Sequence, residues 1–192
     1  MTVLFAQPEP AAAPAASCGR RVPQGIILAI DPGHEQSAYV LYDPETRRPL
    51  AFAKIDNASL LKAITDQDGF AVSPWHMVIE QIASFGMAVG AEVFETVFWS
   101  GRFAQAWADN HRRGWSRVKR LAVKMHLCAD SRAKDKNIRQ ALIDRYGPGT
   151  EKAIGKKHHP GPLHGVHHDI WSALAVAITW AEQPQAAAGG AK

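Results

Sequence analysis

The 192-residue chain has only two cysteines and no long apolar run. With only Cys18 and Cys128, it cannot build the disulfide framework of a small secreted domain. No stretch comes near the roughly 18 consecutive apolar residues that a membrane span needs. No basic segment precedes an apolar one at the N-terminus, as it would in a secretory signal. We therefore expect a protein of the reducing cytoplasm.

Hydrophobic residues make up 46% of the chain, enough for a core, which excludes wholesale disorder. The net charge of +4 is unevenly spread, because residues 112–139 carry a net +8 and the remainder −4. Such a segment is either a solvated basic face or a surface for a polyanion. Its ten basic residues are Arg112, Arg113, Arg117, Lys119, Arg120, Lys124, Arg132, Lys134, Lys136 and Arg139.

Composition divides the chain into a central domain and two tails. Residues 1–24 are rich in alanine and proline, and residues 183–192 contain mostly alanine, glycine and other small or polar residues. Such segments bury too little apolar surface to stay ordered. We predict disordered tails at 1–24 and 183–192 and one domain over residues 25–182.

Apolar patterning within this domain predicts a mixed α/β fold with a five-stranded sheet. Strands are predicted at 25–31, 37–42 and 50–55, forming an antiparallel meander, and then at 76–80 and 118–127. Helices are predicted at 60–65, with Asn57 or Ser59 as its cap, and at 89–111, 135–146 and 168–181. The basic, histidine-rich segment 150–166 is predicted to be a loop, and helix-separated strands after a meander favour a mixed sheet.

Three acidic residues stand at the ends of apolar elements. Asp31 closes the first predicted strand, Glu80 closes the fourth, and Asp169 begins the last helix. Each has an ordinary structural explanation, as a turn residue or a helix cap. If the three converge, cations must offset their repulsion, and oxygen ligands favour Mg²⁺ or Mn²⁺. Two such ions about 4 Å apart can drive phosphodiester hydrolysis.

Several motifs resemble those of RuvC-type Holliday junction resolvases, which have the ribonuclease H-like fold. The segment ILAIDPGHEQSAYVLYD around Asp31 resembles the opening of that family, and VIEQ around Glu80 its second acidic strand. RAKDKNIRQAL at 132–142 resembles its basic segment, and SALAVAITW at 172–180 its last helix. Order and spacing match best the RuvC-like proteins of phages and prophages.

This resemblance implies a homodimeric endonuclease that cuts branched or four-way DNA and uses Mg²⁺, or Mn²⁺, as two ions. Asp31, Glu80 and Asp169 would be metal ligands. The family's second acid on the last helix is replaced by Ser172, a weak neutral ligand. His168, or its neighbours His164 and His167, would assist as a general base or acid.

The same resemblance and the basic composition suggest the DNA contacts. Phe85, in the loop after Glu80, is either a core residue or an aromatic that stacks on an unpaired base. Five of the nine histidines lie within 158–168, which indicates a DNA-contacting loop or, less well matched in spacing, a zinc site. The predicted phosphate contacts are Lys119, Lys124, Arg132, Lys134, Lys136, Lys156 and Lys157.

Two other functions are compatible with parts of this pattern. Because Ser172 replaces an acid, the chain can instead be a junction-binding protein without catalysis. An apolar strand leading into Asp-x-Gly also opens the ATPases of the actin and sugar-kinase class. Those proteins need two such lobes, which this chain is too short to supply.

Overall fold

The computed structural model describes residues 25–66, 68–83, 86, 88–111 and 113–183. The predicted tail at 1–24, and the predicted tail at 183–192 apart from Gln183, lie outside these residues. Both tails therefore stay predictions.

A mixed five-stranded sheet forms the centre of the described residues. Its strand order is β3-β2-β1-β4-β5. The first three strands pair antiparallel, whereas β4 lies parallel to both β1 and β5. This arrangement confirms the predicted fold class. The strands are β1 (Ile27–Asp31), β2 (Gln36–Asp43), β3 (Arg48–Asp56), β4 (His76–Gln81) and β5 (Trp115–Lys119).

Helices cover both faces of this sheet. One face packs against α1 (Asn57–Thr65) and α2 (Ala91–His111). The other face packs against α3 (Arg120–Cys128), α4 (Asp135–Tyr146) and, after the one-turn α5 (Thr150–Ala153), the C-terminal α6 (Ile170–Glu182). No helix in the described ranges is both long and apolar enough to cross a bilayer.

Alternation along β1 explains why this strand is apolar throughout. Ile27 and Ala29 pack towards α6, and Leu28 and Ile30 pack towards α1 and α2. All four side chains are fully buried. A strand covered on both faces must be apolar at every position, as the sequence predicts. Continuing the alternation puts Asp31 on the α6 face, where its strand leaves the core.

The predicted strand at 118–127 is wrong for most of its length. The fifth strand is Trp115–Lys119, and a helix begins at Arg120. The alternation of Leu121, Val123, Met125 and Leu127 suggested a strand, but of these only Val123 is fully buried. Leu121 is 48% exposed and Met125 49%. The segment consists largely of good helix formers, so the apparent two-residue period is not a burial pattern.

Two smaller predictions are also corrected. The cap of α1 is Asp56, not Asn57 or Ser59, because the Asp56 carboxylate accepts a hydrogen bond from the Ser59 amide at 2.8 Å. The predicted loop at 150–166 contains α5 and a small hairpin. Its strands are β6 (Gly155–Lys156) and β7 (His159–Pro160). Predicted α4, at 135–146, matches the structure.

Substitutions at a buried and an exposed leucine test this core. Leu174→Ala on α6 removes a fully buried side chain and should lower the free energy of unfolding by about 2–5 kcal/mol. Leu121→Ala on α3 is the matched control, and its effect should stay within about 0.5 kcal/mol. Urea unfolding followed by circular dichroism measures both. A large loss from Leu121→Ala would contradict the exposed helical position given to it here.

Candidate active site

Sheet register brings two acidic residues side by side. Ile30 of β1 pairs with Ile79 of the parallel β4, so the residues that follow, Asp31 and Glu80, are neighbours at the same sheet edge. Both extend from the α6 face, since side chains two positions earlier on each strand pack against that helix. Adjacent parallel strands thus end in two carboxylates that point the same way.

The carboxyl groups of Asp31 and Glu80 share a hydrogen bond, and Asp31 is half-buried whereas Glu80 is buried. Glu80 is only 6% exposed. Burial, and next the negative charges of Glu80 and Asp169, raise the pKa of Asp31 to about 8. Burial also raises the pKa of Glu80, against the opposing effect of Arg120. A buried carboxylate pair of this kind binds either a proton or another cation.

Arg120, the first residue of α3, supplies one positive charge to this pair. Its Nη1 lies 3.4 Å from each carboxylate oxygen of Glu80 and 3.3 Å from the Ser172 hydroxyl oxygen. Its Nη2 donates to a carboxylate oxygen of Asp135 on α4. Burial acts to lower the pKa of Arg120, but the carboxylates of Glu80 and Asp135 leave it raised. The guanidinium is therefore a fixed cation of the site.

Asp169 and Lys54 form a second ion pair beside the first. Lys54 pairs with Ala38 and Ala38 with Asp31 in the sheet, so Lys54 stands two strands from Asp31 on the same face. Its Nζ lies 2.7 Å from a carboxylate oxygen of Asp169. Asp169 caps α6 without a side-chain hydrogen bond to that helix, so its carboxylate is available to Lys54.

The three predicted acidic ligands are near one another but do not form a closed ligand set. Asp169 is close enough for its charge to raise the pKa of Asp31. Even so, no group of three or more His, Cys, Asp or Glu side chains within the described ranges is arranged to hold a metal ion. Asp31 and Glu80 are the assembled part of the predicted site, and Asp169 is held aside by Lys54.

A pocket of about 520 Å³ opens beside Asp169 and Arg120. Its lining includes the charged residues Arg120, Asp135 and Asp169 and the hydroxyl of Ser172. His168, with a left-handed backbone φ of 46°, leads the chain into α6 at this rim. The remaining lining is basic and aromatic, comprising Lys136, Arg139, Trp171, His167 and His168, together with Ile138 and Val166. The guanidinium of Arg139 lies 5.2 Å from the Trp171 ring centre, a cation–π contact.

Other predicted contact residues lie around this pocket or away from it. His164 is exposed in the segment before α6 but does not line the pocket. Lys124 is half-buried on α3, and Lys156 lies 3.8 Å from the Glu151 carboxylate. Phe85 and Arg112 fall outside the described residues. The remaining predicted phosphate contacts are all exposed: Lys119, Arg132, Lys134, Lys136 and Lys157.

Local sequence patterns do not indicate that Lys54 and Arg120 belong to the site. Lys54 gives no local signal, because its role follows from a register across three strands. In the sequence Arg120 is one of many basic residues, and the strand predicted for 118–127 does not allow for a helix that begins at this residue. Asp135, the other partner of Arg120, was assigned no role.

The donor set at Asp31 and Glu80 fits a divalent metal ion. Two adjacent buried carboxylates offer oxygen ligands alone, which Mg²⁺ and Mn²⁺ prefer. Burial first, and then the charges of Glu80 and Asp169, raise the pKa of Asp31, and a bound cation would offset both effects. Asp169 can join them only by leaving Lys54, and Ser172 only by giving up its contact with Arg120.

Comparison with known proteins identifies the fold. No family model and no curated protein sequence matches the chain. RuvC of Thermus thermophilus matches with a TM-score of 0.56 and 16% identity over 80% of this chain and 92% of that one. The same protein in complex with Holliday junction substrate gives 0.58 and 16%, over 83% and 94%. A Fowlpox virus resolvase in complex with Holliday junction DNA is more distant, with a TM-score of 0.49 and 15% identity over 82% and 99%.

These similarities confirm the predicted fold, since the RuvC structures cover most of both chains. The chain has the ribonuclease H-like fold of RuvC, with a meander, two parallel strands and helices on both faces. Identity of 16% shows the fold alone. The Asp31–Glu80 pair, the neighbouring side chains of Arg120 and Lys54, and the pocket are features of this chain's own structure.

Removing one carboxyl tests the electrostatic description of the pair. In EDTA at pH 7.5, Asp31→Asn should raise the free energy of unfolding by about 1–3 kcal/mol. The reason is that burial disfavours the ionised form of Asp31, and the neutral asparagine avoids this cost. A folded-state pKa of about 8, against 3.8 unfolded, makes the wild type lose stability as pH rises between those values. The gain should therefore shrink towards pH 4.

Thermal unfolding with and without Mg²⁺ completes this test. Saturating Mg²⁺ should raise the melting temperature of the wild type and not that of Asp31→Asn, because a ligand bound by the folded state alone stabilises it. Asp68→Asn, at an exposed position, is the control and should respond to Mg²⁺ as the wild type does. An equal Mg²⁺ response in Asp31→Asn would contradict metal binding at this pair.

Proposed function

We propose that this chain is a divalent-metal-dependent endonuclease that cuts four-way or branched DNA. The observation that carries the proposal is the Asp31–Glu80 carboxylate pair at the ends of two parallel strands, with Arg120 in contact with Glu80 and lining a pocket together with Lys136 and Arg139. The shared fold with RuvC, and the RuvC complex with Holliday junction substrate, support the choice of substrate. Catalytic groups of open α/β sheets commonly lie at such strand ends.

Each residue of the site has a distinct part in this proposal. Asp31 and Glu80 would hold Mg²⁺ or Mn²⁺, which supplies Lewis-acid polarisation of a phosphate oxygen and an activated water. Asp169 would join them once separated from Lys54, and Ser172 would contribute only a neutral oxygen. The resemblance implies two such ions. The positive charge of Arg120 beside Glu80 affects how many ions the site can bind. His168 or His167, which line the pocket, would assist as a general base or acid.

The basic groups beside the pocket support DNA as the partner. Lys136 and Arg139 of α4 line it directly, and Arg132 and Lys134 are exposed just before that helix. Lys119, Lys124, Lys156 and Lys157 extend the same charge over neighbouring elements. Phosphates held along these cations would place a strand across the acids.

An exposed apolar stripe on α2 supports the homodimer. Phe94, Val97 and Phe98 recur at three- and four-residue spacing and are 66%, 50% and 60% exposed. A stripe of this kind marks an interaction surface. A two-fold dimer would present two equivalent sites to two strands of a four-way junction.

Junction binding without cleavage is the second candidate. The Lys54–Asp169 pair and the neutral Ser172 favour it, because they leave two assembled carboxylates where catalysis would use more. The two candidates differ in one readout. A pure binder retards a labelled junction in a gel, and it produces no nicks in Mg²⁺ or Mn²⁺.

Substitution of the acid pair separates the two candidates. Asp31→Asn and Glu80→Gln should each lower the rate of cleavage of a labelled four-way junction in Mg²⁺ by roughly 100-fold or more, because each removes a metal ligand. Glu45→Gln, an exposed position in the turn at the far end of the sheet, should cut at the wild-type rate. Full cutting by either of the first two variants would exclude the proposed site.

Salt dependence of binding tests the basic surface. Replacing Lys134 and Lys136 by Ala should weaken junction binding and reduce the slope of log affinity against log salt by roughly one per lost phosphate contact. Lys62→Ala is the control, because this exposed lysine is on α1, which covers the opposite sheet face. An unchanged slope in the double variant would mean that these lysines form a solvated face.

A further inference from the structure

Arg120 fills the space between Glu80 and α6. One terminal nitrogen reaches both Glu80 oxygens at 3.4 Å and the Ser172 hydroxyl at 3.3 Å, and the other contacts Asp135. Its side chain is 22% exposed. Partners on β4, α4 and α6 therefore fix the guanidinium in one position beside the carboxylate pair.

The charged side chains around this guanidinium carry a net negative charge that one divalent cation would neutralise. Asp31 and Glu80, both ionised, carry two negative charges, which a single divalent ion neutralises. Asp135 already contacts Arg120, and Asp169 already pairs with Lys54. A second divalent ion at Ser172 would meet a neutral hydroxyl and stand against the positive charge of Arg120.

We propose that this site binds one divalent cation, on Asp31 and Glu80, and that the Arg120 guanidinium serves as the second positive charge at the reacting phosphate. This inference rests on the proposed nuclease function, because it assigns a role within that same site. A guanidinium suits the role because it stays charged and its planar donors match phosphate oxygens in a bidentate fashion. Ser172, in contact with Arg120, is then an orienting group for the guanidinium.

Counting bound metal ions tests this assignment without relying on activity. Mn²⁺ is titrated calorimetrically into the full chain and into three variants, Ser172→Asp, Arg120→Ala and the double variant. The wild type should bind one ion per chain. Ser172→Asp should still bind one, because the new carboxylate pairs with Arg120. Arg120→Ala should also bind one ion, roughly tenfold more tightly, because a nearby positive charge is gone.

The double variant should bind two ions, because it both removes the guanidinium and supplies an acid in its place. Arg117→Ala is the control for loss of a basic residue, since Arg117 is exposed on β5 beside Trp115. It should bind one ion with wild-type affinity. If Arg120→Ala does not fold, Ser172→Asp alone keeps the test decisive, because it retains Arg120.

Two ions bound by the wild type or by Ser172→Asp would overturn the inference. A double variant that binds one ion would also overturn it. Junction cleavage by the same wild-type preparation separates this failure from failure of the proposed function. Cleavage together with two bound ions would exclude only the role proposed for Arg120. No bound ion and no cleavage in Mn²⁺ or Mg²⁺ would exclude both that role and the proposed nuclease function.

Discussion

Removal of two neighbouring carboxylates from water dominates the electrostatics of this end of the sheet. Parallel pairing of β1 with β4 makes Asp31 and Glu80 neighbours, and the packing of α6 over the same face keeps water from them. The pKa of Asp31 is raised because neither burial nor its neighbours allow it to ionise freely. Arg120, where β5 meets α3, contacts Glu80, and Lys54 of β3 pairs with Asp169. The sheet and the helices α3, α4 and α6 are thus linked through the charges around these acids.

The arrangement is consistent with a stability cost retained for function. A chain selected for stability alone would not place two carboxylates side by side at the ends of buried strands, where their charges are poorly solvated. An apolar or amide side chain at Asp31 would satisfy the fold better. The acid provides carboxylate oxygen atoms beside Glu80, and the Arg120 that contacts Glu80 lines a pocket together with Lys136 and Arg139. Acidic and basic groups are thus close together at this end of the sheet, and the proposed nuclease function depends on that arrangement.

Sequence patterns predicted the elements whose burial is periodic. The continuous apolar run of β1, the alternation of the meander and the boundaries of α4 follow from local residue choice. The strand predicted over 118–127 was wrong because the alternating apolar residues of α3 do not share one environment. Val123 is buried whereas Leu121 and Met125 are about half exposed, and exposure depends on what packs there. Asp31 and Glu80 could be found as strand-end acids. Lys54 and Arg120 could not, since their positions depend on a register across three strands and on where α3 begins.

The most direct measurement is an anomalous difference map from a crystal of the full chain soaked in Mn²⁺. The account predicts one peak in contact with the carboxylates of Asp31 and Glu80, with the Arg120 guanidinium still beside Ser172. No peak at this pair, in a crystal where Mn²⁺ binds elsewhere, would contradict a metal-dependent site at the ends of β1 and β4.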